Sequence, residues 1–108
     1  MRAINSQVGR LITDATANVT GEGFTMPRGT RERVYQAAIA GTGTVSATVT
    51  LQGSCDGESW VTIGSALSLS GSGSDAKAIE SVYPWPQVRA VVASITGTAA
   101  TVNVFVGI

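Results

Sequence analysis

The sequence predicts an all-β protein, a single β-sandwich of about seven to eight antiparallel strands with an extended N-terminal arm. The first observation is strict alternation of apolar and polar residues in TVSATVTLQ at 44–52. The second is the regular recurrence of short apolar segments between turns rich in glycine and serine. The third is that no segment has a convincing helical period. Jelly-roll and immunoglobulin-like topologies both fit this pattern.

The predicted strands follow one another at short intervals. They cover 33–39, 44–52, 60–63, 66–70, 76–83, 87–95 and 101–106. Glycine-rich turns at 40–43 and 96–100 are expected to join two hairpins, and both hairpins carry an Ile-x-Gly-Thr motif. This similarity indicates either an internal repeat or only the glycine and valine that any two hairpins need. The prolines of YPWP at 83–86 predict an extended or turned connection.

The N-terminal residues have a different character. Residues 1–30 show only a weak apolar rhythm and are predicted to form an extended arm with one or two edge strands, while residues 31–108 form the sandwich domain. Such an arm usually needs a surface to lie on.

Composition excludes several classes of function. The 108 residues suffice for one domain, and 44% of them are hydrophobic. The formal net charge is +0, which argues against a nucleic-acid or anionic-membrane partner. Only 13% of the residues are charged, fewer than a free soluble monomer usually carries, and this favours a protein packed against copies of itself or another protein.

Catalytic and metal-binding groups are scarce. The chain has no histidine, and its one cysteine can form neither an intrachain disulfide nor a thiolate zinc site. We therefore expect no enzyme activity, no cofactor and no metal. The N-terminal stretch MRAINSQVGRLITDA has no continuous apolar run, so neither a signal peptide nor a membrane span is expected.

The segment GSCDGESW at 53–60 is the densest group of candidate site residues. Asp-Gly is a strong hairpin signal, so we interpret the segment as a structural turn formed by Ser54, Asp56, Gly57 and Trp60. A calcium or sugar site on Asp56, Glu58 and Trp60 is the alternative. The same two acids give the sharpest enzyme hypothesis, since glycoside hydrolysis needs paired carboxyl groups, but no further acid or base accompanies them.

Two other clusters are candidates for protein contacts. A short apolar cluster and three arginines lie on either side of the boundary between the arm and the predicted domain and are expected to contact another protein: Phe24, Met26, Arg28, Arg31 and Arg33. An aromatic loop stiffened by proline is either a core plug or an interface anchor, and together with an apolar strand it is a candidate for self-association. The residues are Tyr83, Trp85, Val88, Val92 and Phe105. The strand at 87–95 is apolar on both sides, and this predicts a second buried surface and hence a homo-oligomer. Alternation places Val88, Ala90 and Val92 on one face and Val91, Ala93 and Ile95 on the other.

The segment 45–108 resembles small virion proteins of tailed bacteriophages, in the order of its pieces. These are S-x-D-G-x-x-W-x-x-I-G at 54–64, a Gly/Ser loop ending in Asp75, Tyr83-Pro84, Arg89-Ala90-Val91, S-I-T-G-T at 94–98 and V-N-V-x-V-G at 102–107. Proteins of this kind are often head decoration, or cement, proteins.

The resemblance implies a non-enzymatic structural protein of the virion. It would be made in the host bacterial cytoplasm, bind the outside of the capsid as a dimer or trimer, and hold the lattice of the major capsid protein together. Many equivalent sites on one shell let modest contacts add up. A rival interpretation is a carbohydrate-binding β-module of a phage tail, fibre or cell surface, in which Trp60, Trp85 and Tyr83 stack on sugar rings.

Overall fold

The structure is a computed structural model that describes residues 8–26, 33–81 and 85–107. Its strands are β1 (Val8–Ala15), β2 (Val19–Thr20), β3 (Phe24–Thr25), β4 (Arg33–Ser54), β5 (Val61–Ser81) and β6 (Gln87–Gly107). All six belong to one antiparallel sheet in the order β1-β6-β4-β5, and β2 and β3 also pair with β6. The prediction of an all-β antiparallel fold is confirmed, since strands account for about 83% of the structure.

The three long strands are sharply bent near their middle. A straight strand of the length of β4, 22 residues, would span about 70 Å, whereas the longest dimension of the molecule is 42 Å. The pairing register of β4 with β5 and β6 shifts between Ala40 and Thr44, and this marks the bend. The sheet therefore has two halves. The Phe105 half consists of β1 and of residues 33–40, 75–81 and 101–107. The Trp60 half consists of β2, β3 and residues 45–54, 61–70 and 87–95.

The two halves face each other across the core. Gly9 of the Phe105 half lies under the ring of Phe24 in the Trp60 half, and Gly64 of the Trp60 half lies against the side chain of Ile79 in the other. The core is built from the inward-facing residues of both halves. On β4 these are Tyr35, Ala37, Ile39, Val45, Ala47, Val49 and Leu51; on β6 they are Val88, Ala90, Val92, Val102, Val104 and Val106.

The predicted hairpins are wrong. The segments 33–39 and 44–52 are not joined by a reversing turn but form one continuous strand, and so do 87–95 and 101–106. Both segments of β4 pair with β5 and β6, and both segments of β6 pair with β4, so the glycines between them bend the strand without reversing it. The predicted Gly/Ser loop at 71–74 lies within β5, which pairs with β4 on both sides of it. The described residues thus form six strands in one sheet; the sandwich topology and its seven to eight strands are not confirmed.

The two Ile-x-Gly-Thr motifs lie side by side at the bend. Thr42 of β4 pairs with Thr98 of β6, next to Gly41 and Gly97. A Cβ on Gly41 would lie 3.0 Å from the Cα of Ala100. The similar local sequences therefore serve one structural feature, the tight crossing of two adjacent strands at the bend.

A β-bulge explains the apolar residues on both sides of β6. Thr48 pairs with Ser94 and Val49 with Val92, so Ala93 is an extra residue that shifts the alternation. As a result Ile95 packs against the same core as Val92. Alternation counted without the bulge places Ile95 on the outer face of the sheet. That prediction is wrong, because the extra residue Ala93 turns Ile95 to the inner face.

The N-terminal segment extends the sheet. β1 pairs with the Phe105 half, β2 and β3 pair with the Trp60 half, and the intervening residues pass the bend beside β6. Leu11, Ile12 and Met26 are each only 6% exposed. Residues 8–26 therefore lie on their own chain, and an extended arm is not confirmed.

Candidate functional site

The turn between β4 and β5 is a self-contained network of hydrogen bonds. The buried Ser54 hydroxyl accepts bonds from the backbone amides of Asp56 (3.2 Å) and Gly57 (2.8 Å), and donates to Asp56 Oδ1 (2.9 Å). The same Oδ1 accepts bonds from the amides of Glu58 and Ser59, each 2.8 Å long. Gly57 has a φ of +79°, the left-handed conformation that the motif requires. The side chains of Ser54 and Asp56 thus satisfy the backbone donors of the turn.

This network sets the charge state of Asp56. Its backbone bonds with Ser59 and Glu58, and the Ser54 hydroxyl, lower the pKa of the Asp56 carboxyl well below its ordinary value. A lowered pKa is unsuited to a general acid, and the carboxylate oxygen is already occupied by three donors. The geometry therefore does not favour the pairing of Asp56 with Glu58 for glycoside hydrolysis.

We expect Ser54→Ala to lower the free energy of unfolding by about 2 kcal/mol, because two turn amides lose their acceptor. Urea denaturation of the purified protein measures this change. Ser68→Ala removes a hydroxyl from an exposed position of β5 and is expected to change stability by no more than about 0.5 kcal/mol. Equal effects of the two substitutions would contradict the structural role of Ser54.

Asp56 also makes stability depend on pH. Because its pKa is lower in the folded chain than its ordinary value of 3.8, its contribution is present above that pH and is lost as the pH falls towards the lowered pKa. Asp75, whose pKa is lowered chiefly by a bond from the Ser70 amide, acts in the same direction. We therefore expect the stability difference between the wild type and Asp56→Asn to shrink as the pH falls. Thermal unfolding between about pH 2 and pH 6 measures it, and a difference that is constant over that range would contradict the assignment.

Trp60 lies beside this turn and belongs to a cluster with the polar side chains of Arg89 and Gln52. The Arg89 guanidinium stacks over its ring at 4.3 Å from the centroid, and Arg89 Nε donates a 2.7 Å bond to Gln52 Oε1. The edge of the indole approaches Gly23, and the Gln87 side chain approaches Gly57. Neither Gln52 nor Arg89 carries a local sequence signal, since only the pairing of Gln52 with Arg89 across β4 and β6 brings them to Trp60.

Trp85 closes the end of the molecule opposite the bend. Its indole lies directly on Gly53, and its carbonyl accepts a 2.7 Å bond from Arg33 Nη1. Arg33 is only 3% exposed, and it lies beside Tyr35, whose pKa is raised by burial while the Arg33 charge opposes the rise. Arg33 thus connects the start of β4 to the start of β6. A free guanidinium for a partner protein was expected at this position, and the structure places it inside the chain instead.

The other candidate contact residues are distributed over several environments. Phe24 is half-buried against the core, Met26 is buried in it, and Phe105 is half-buried on the outer side of the Phe105 half, with Arg10 at 5.0 Å from its ring centroid. Val88 and Val92, expected in a self-association surface, are core residues at 0% and 1% exposure. Arg28, Arg31 and Tyr83 lie outside the described residues. Among the described residues, the structure therefore does not bring the predicted contact residues together into one surface.

Both tryptophans bear on the carbohydrate-binding interpretation. Each is half-buried, and each ring is in contact with its own chain, Trp60 with Arg89 and Trp85 with Gly53. Stacking on a sugar requires an accessible ring face. The two rings thus do not form a common open platform in the described part of the chain.

A surface cavity of about 490 Å³ lies where the N-terminal segment passes the bend. Leu11, Ile12 and Ala15 form its apolar part, and Thr13, Asn18 and Glu22 are among its polar lining. Over residues 8–26, 33–81 and 85–107, no three histidine, cysteine or acidic side chains form a group that could hold a metal ion. Nor do these ranges contain a helix long and apolar enough to cross a membrane.

Comparison with known proteins returns no relative: no protein family, no curated protein and no solved structure matches the chain.

Proposed function

We propose that this protein is a structural component of a phage virion, which binds the outside of the capsid and cements the lattice of the major capsid protein. The observation that carries the proposal is the ordered set of motifs from Ser54 to Gly107 that resembles small virion proteins. In this proposal the folded sheet is a two-layered sandwich, in which β4, β5 and β6 each contribute to both layers.

A scaffold role is supported by the polar side chains, which are bonded within the chain. The carboxylate of Asp56, the guanidinium of Arg33 and the guanidinium of Arg89 all make contacts within the chain. A binding or catalytic site would leave such groups available to a small ligand. In this chain they stabilise turns and strand ends. A rigid body with a Ser/Thr-rich outer surface suits a protein whose partners are other proteins of the shell.

The arginines at 28 and 31 are the proposed contacts with the capsid. Arg33 is not included, because it is buried and bonded to Trp85. A contact made through long, charged side chains is weak by itself, but it is repeated at every equivalent site of the shell.

Sedimentation with expanded shells tests this proposal. Shells of the phage that encodes the chain, assembled without it, are mixed with the purified protein, and bound copies are counted after pelleting. We expect saturable binding at a fixed ratio to the capsid subunit, and a loss of at least about tenfold in affinity for Arg28→Glu/Arg31→Glu. Glu58→Arg, an exposed charge change in the β4–β5 turn, is the control and is expected to bind normally.

Two results would overturn the proposal. One is no binding to the shells by a wild-type protein that unfolds cooperatively. The other is binding that does not saturate at a fixed ratio to the capsid subunit.

A further inference from the structure

The outer surface of the Phe105 half carries apolar side chains on three adjacent strands, β5, β4 and β6. Cross-strand partners share a face, so the pairs of β1, β6, β4 and β5 define which side chains point outwards. Val34 is 46% exposed, Phe105 is half-buried, and exposed alanines occupy β5. The surface consists of Arg10, Val34, Gln36, Ala38, Ala76, Ala78, Glu80, Asn103, Phe105 and Gly107.

The opposite outer surface differs in chemistry. On the Trp60 half the corresponding positions are mostly hydroxyl residues, including Ser46, Thr48, Ser68 and Ser94. The outer face of the Trp60 half is thus rich in hydroxyl groups, with Val91 half-buried among them, whereas that of the Phe105 half sets Phe105 and Val34 next to alanines.

Beside Phe105 and Val34 the two edges of the Phe105 surface carry opposite charges, and the acid of β1, Asp14, is bonded to Asn103 further along the strand. Arg10 lies on β1 at one edge, and Glu80 lies on β5 at the other. A two-fold axis parallel to the strands, between β6 and β4, exchanges these edges in a second copy. Arg10 of one copy then lies over Ala78 of the other. Glu80 is two residues from Ala78 on the same face of β5, about 7 Å along the strand. Both side chains are long enough to meet across that offset.

The same axis keeps like residues apart. It brings Val34 of one copy over Gly107 of the other, and Phe105 over Gln36, whereas superimposing like residues would set two phenylalanines and two valines against each other. Sheets that pack face to face in aligned orientation are about 10 Å apart, a spacing that such alternation fills.

From this self-complementarity we infer that a second copy of the chain packs on the Phe105 surface in a two-fold symmetric dimer, held by reciprocal Arg10–Glu80 pairs around Phe105 and Val34. The inference gives a surface to the self-association that the sequence predicts; it goes beyond the proposed function and does not require the capsid. Four strands of seven residues give a footprint of roughly 450 Å² on each copy, at the low end for specific interfaces, so we expect association in the micromolar range.

A charge-exchange experiment in solution, without shells, tests the dimer. Sedimentation velocity of the wild type over about 1 to 500 µM is expected to show a reversible monomer–dimer equilibrium, because this range of concentrations spans micromolar dissociation constants. Arg10→Glu alone and Glu80→Arg alone each place like charges together twice per dimer and are expected to weaken it at least about tenfold.

Mixing the two single variants supplies the decisive comparison. One copy then has glutamate at both positions and the other has arginine at both, so the two-fold arrangement makes two attractive pairs and a heterodimer is expected at wild-type strength or better. Glu58→Arg changes an exposed acid of the β4–β5 turn, away from this surface, and is expected to leave the equilibrium unchanged. Circular dichroism of each variant checks that the sheet is retained.

A wild type that stays monomeric at 500 µM would overturn the inference, and so would single variants that dimerise like the wild type or a mixture that fails to restore association. Each of these results concerns the protein alone. Binding to shells is measured separately, so failure of the dimer and failure of the capsid proposal are distinguishable.

Discussion

Replacing Gly97 with alanine is expected to lower the free energy of unfolding by about 4 kcal/mol, the sum of backbone strain and overpacking. Gly97 has a φ of +134°, a conformation that residues with a Cβ rarely adopt. A Cβ there would also lie 2.8 Å from Val45 Cγ1, 3.1 Å from the Thr44 carbonyl oxygen and 3.2 Å from the Val45 Cα. Two of these three atoms belong to the backbone of the adjacent strand and cannot move without opening the bend.

Gly43 provides a matched control at the same bend. It also has a positive φ, +71°, but a Cβ on it would meet no atom within 4 Å. Gly43→Ala therefore has only the cost of the left-handed backbone, about 1 kcal/mol. Urea denaturation of both variants measures the difference. Equal destabilisation by the two substitutions would show that close strand contact at the bend does not contribute to stability.

Replacing Leu51 with alanine is expected to lower the free energy of unfolding by about 3 to 4 kcal/mol, through lost burial and the cavity left behind. Leu51 is 0% exposed and lies on β4 between Ile63 of β5 and Ala90 of β6. Its small neighbour Ala90 cannot fill the space. The cavity would open in the central strand of the Trp60 half, facing the other half of the sheet.

Val61 is the control for Leu51. It begins the adjacent strand β5 and is 52% exposed, so Val61→Ala removes apolar atoms that are already largely in water. We expect a change of no more than about 0.5 kcal/mol in its free energy of unfolding. Val61 faces the same side of the sheet as Ile63, so equal destabilisation by Val61→Ala and Leu51→Ala would show that burial of the side chain does not determine the effect.

Alternation was a reliable guide to the inner face wherever a strand had no irregularity. The buried positions Val45, Val49 and Leu51 follow from TVSATVTLQ alone, because successive side chains of a strand point to opposite faces. Prediction failed at Ile95, because the bulge at Ala93 adds one residue and reverses the alternation beyond it. A bulge is defined by the partner strand, so a single strand's sequence does not reveal it.

The candidate residues were predicted best where the interactions are local. The turn at 54–60 depends on side chains and amides no more than three residues apart, so Ser54, Asp56 and Gly57 could be identified from the sequence. Arg33 and Arg89 could not, because their partners Trp85 and Trp60 lie 52 and 29 positions away along the chain. A charge that is buried and bonded in the folded chain has the same sequence signature as one that is exposed.

The sequence by itself determined the strand propensity, the inward apolar rows and the turn at Asp56-Gly57, since these depend on period-two alternation and on short-range hydrogen bonds. Only the tertiary structure decided that the glycines at 41 and 97 bend a continuous strand instead of reversing it. The physical reason is that a glycine permits either path, and the choice depends on which strands are available for pairing on each side. The same long-range pairing brought Arg10 and Glu80 to opposite edges of one surface.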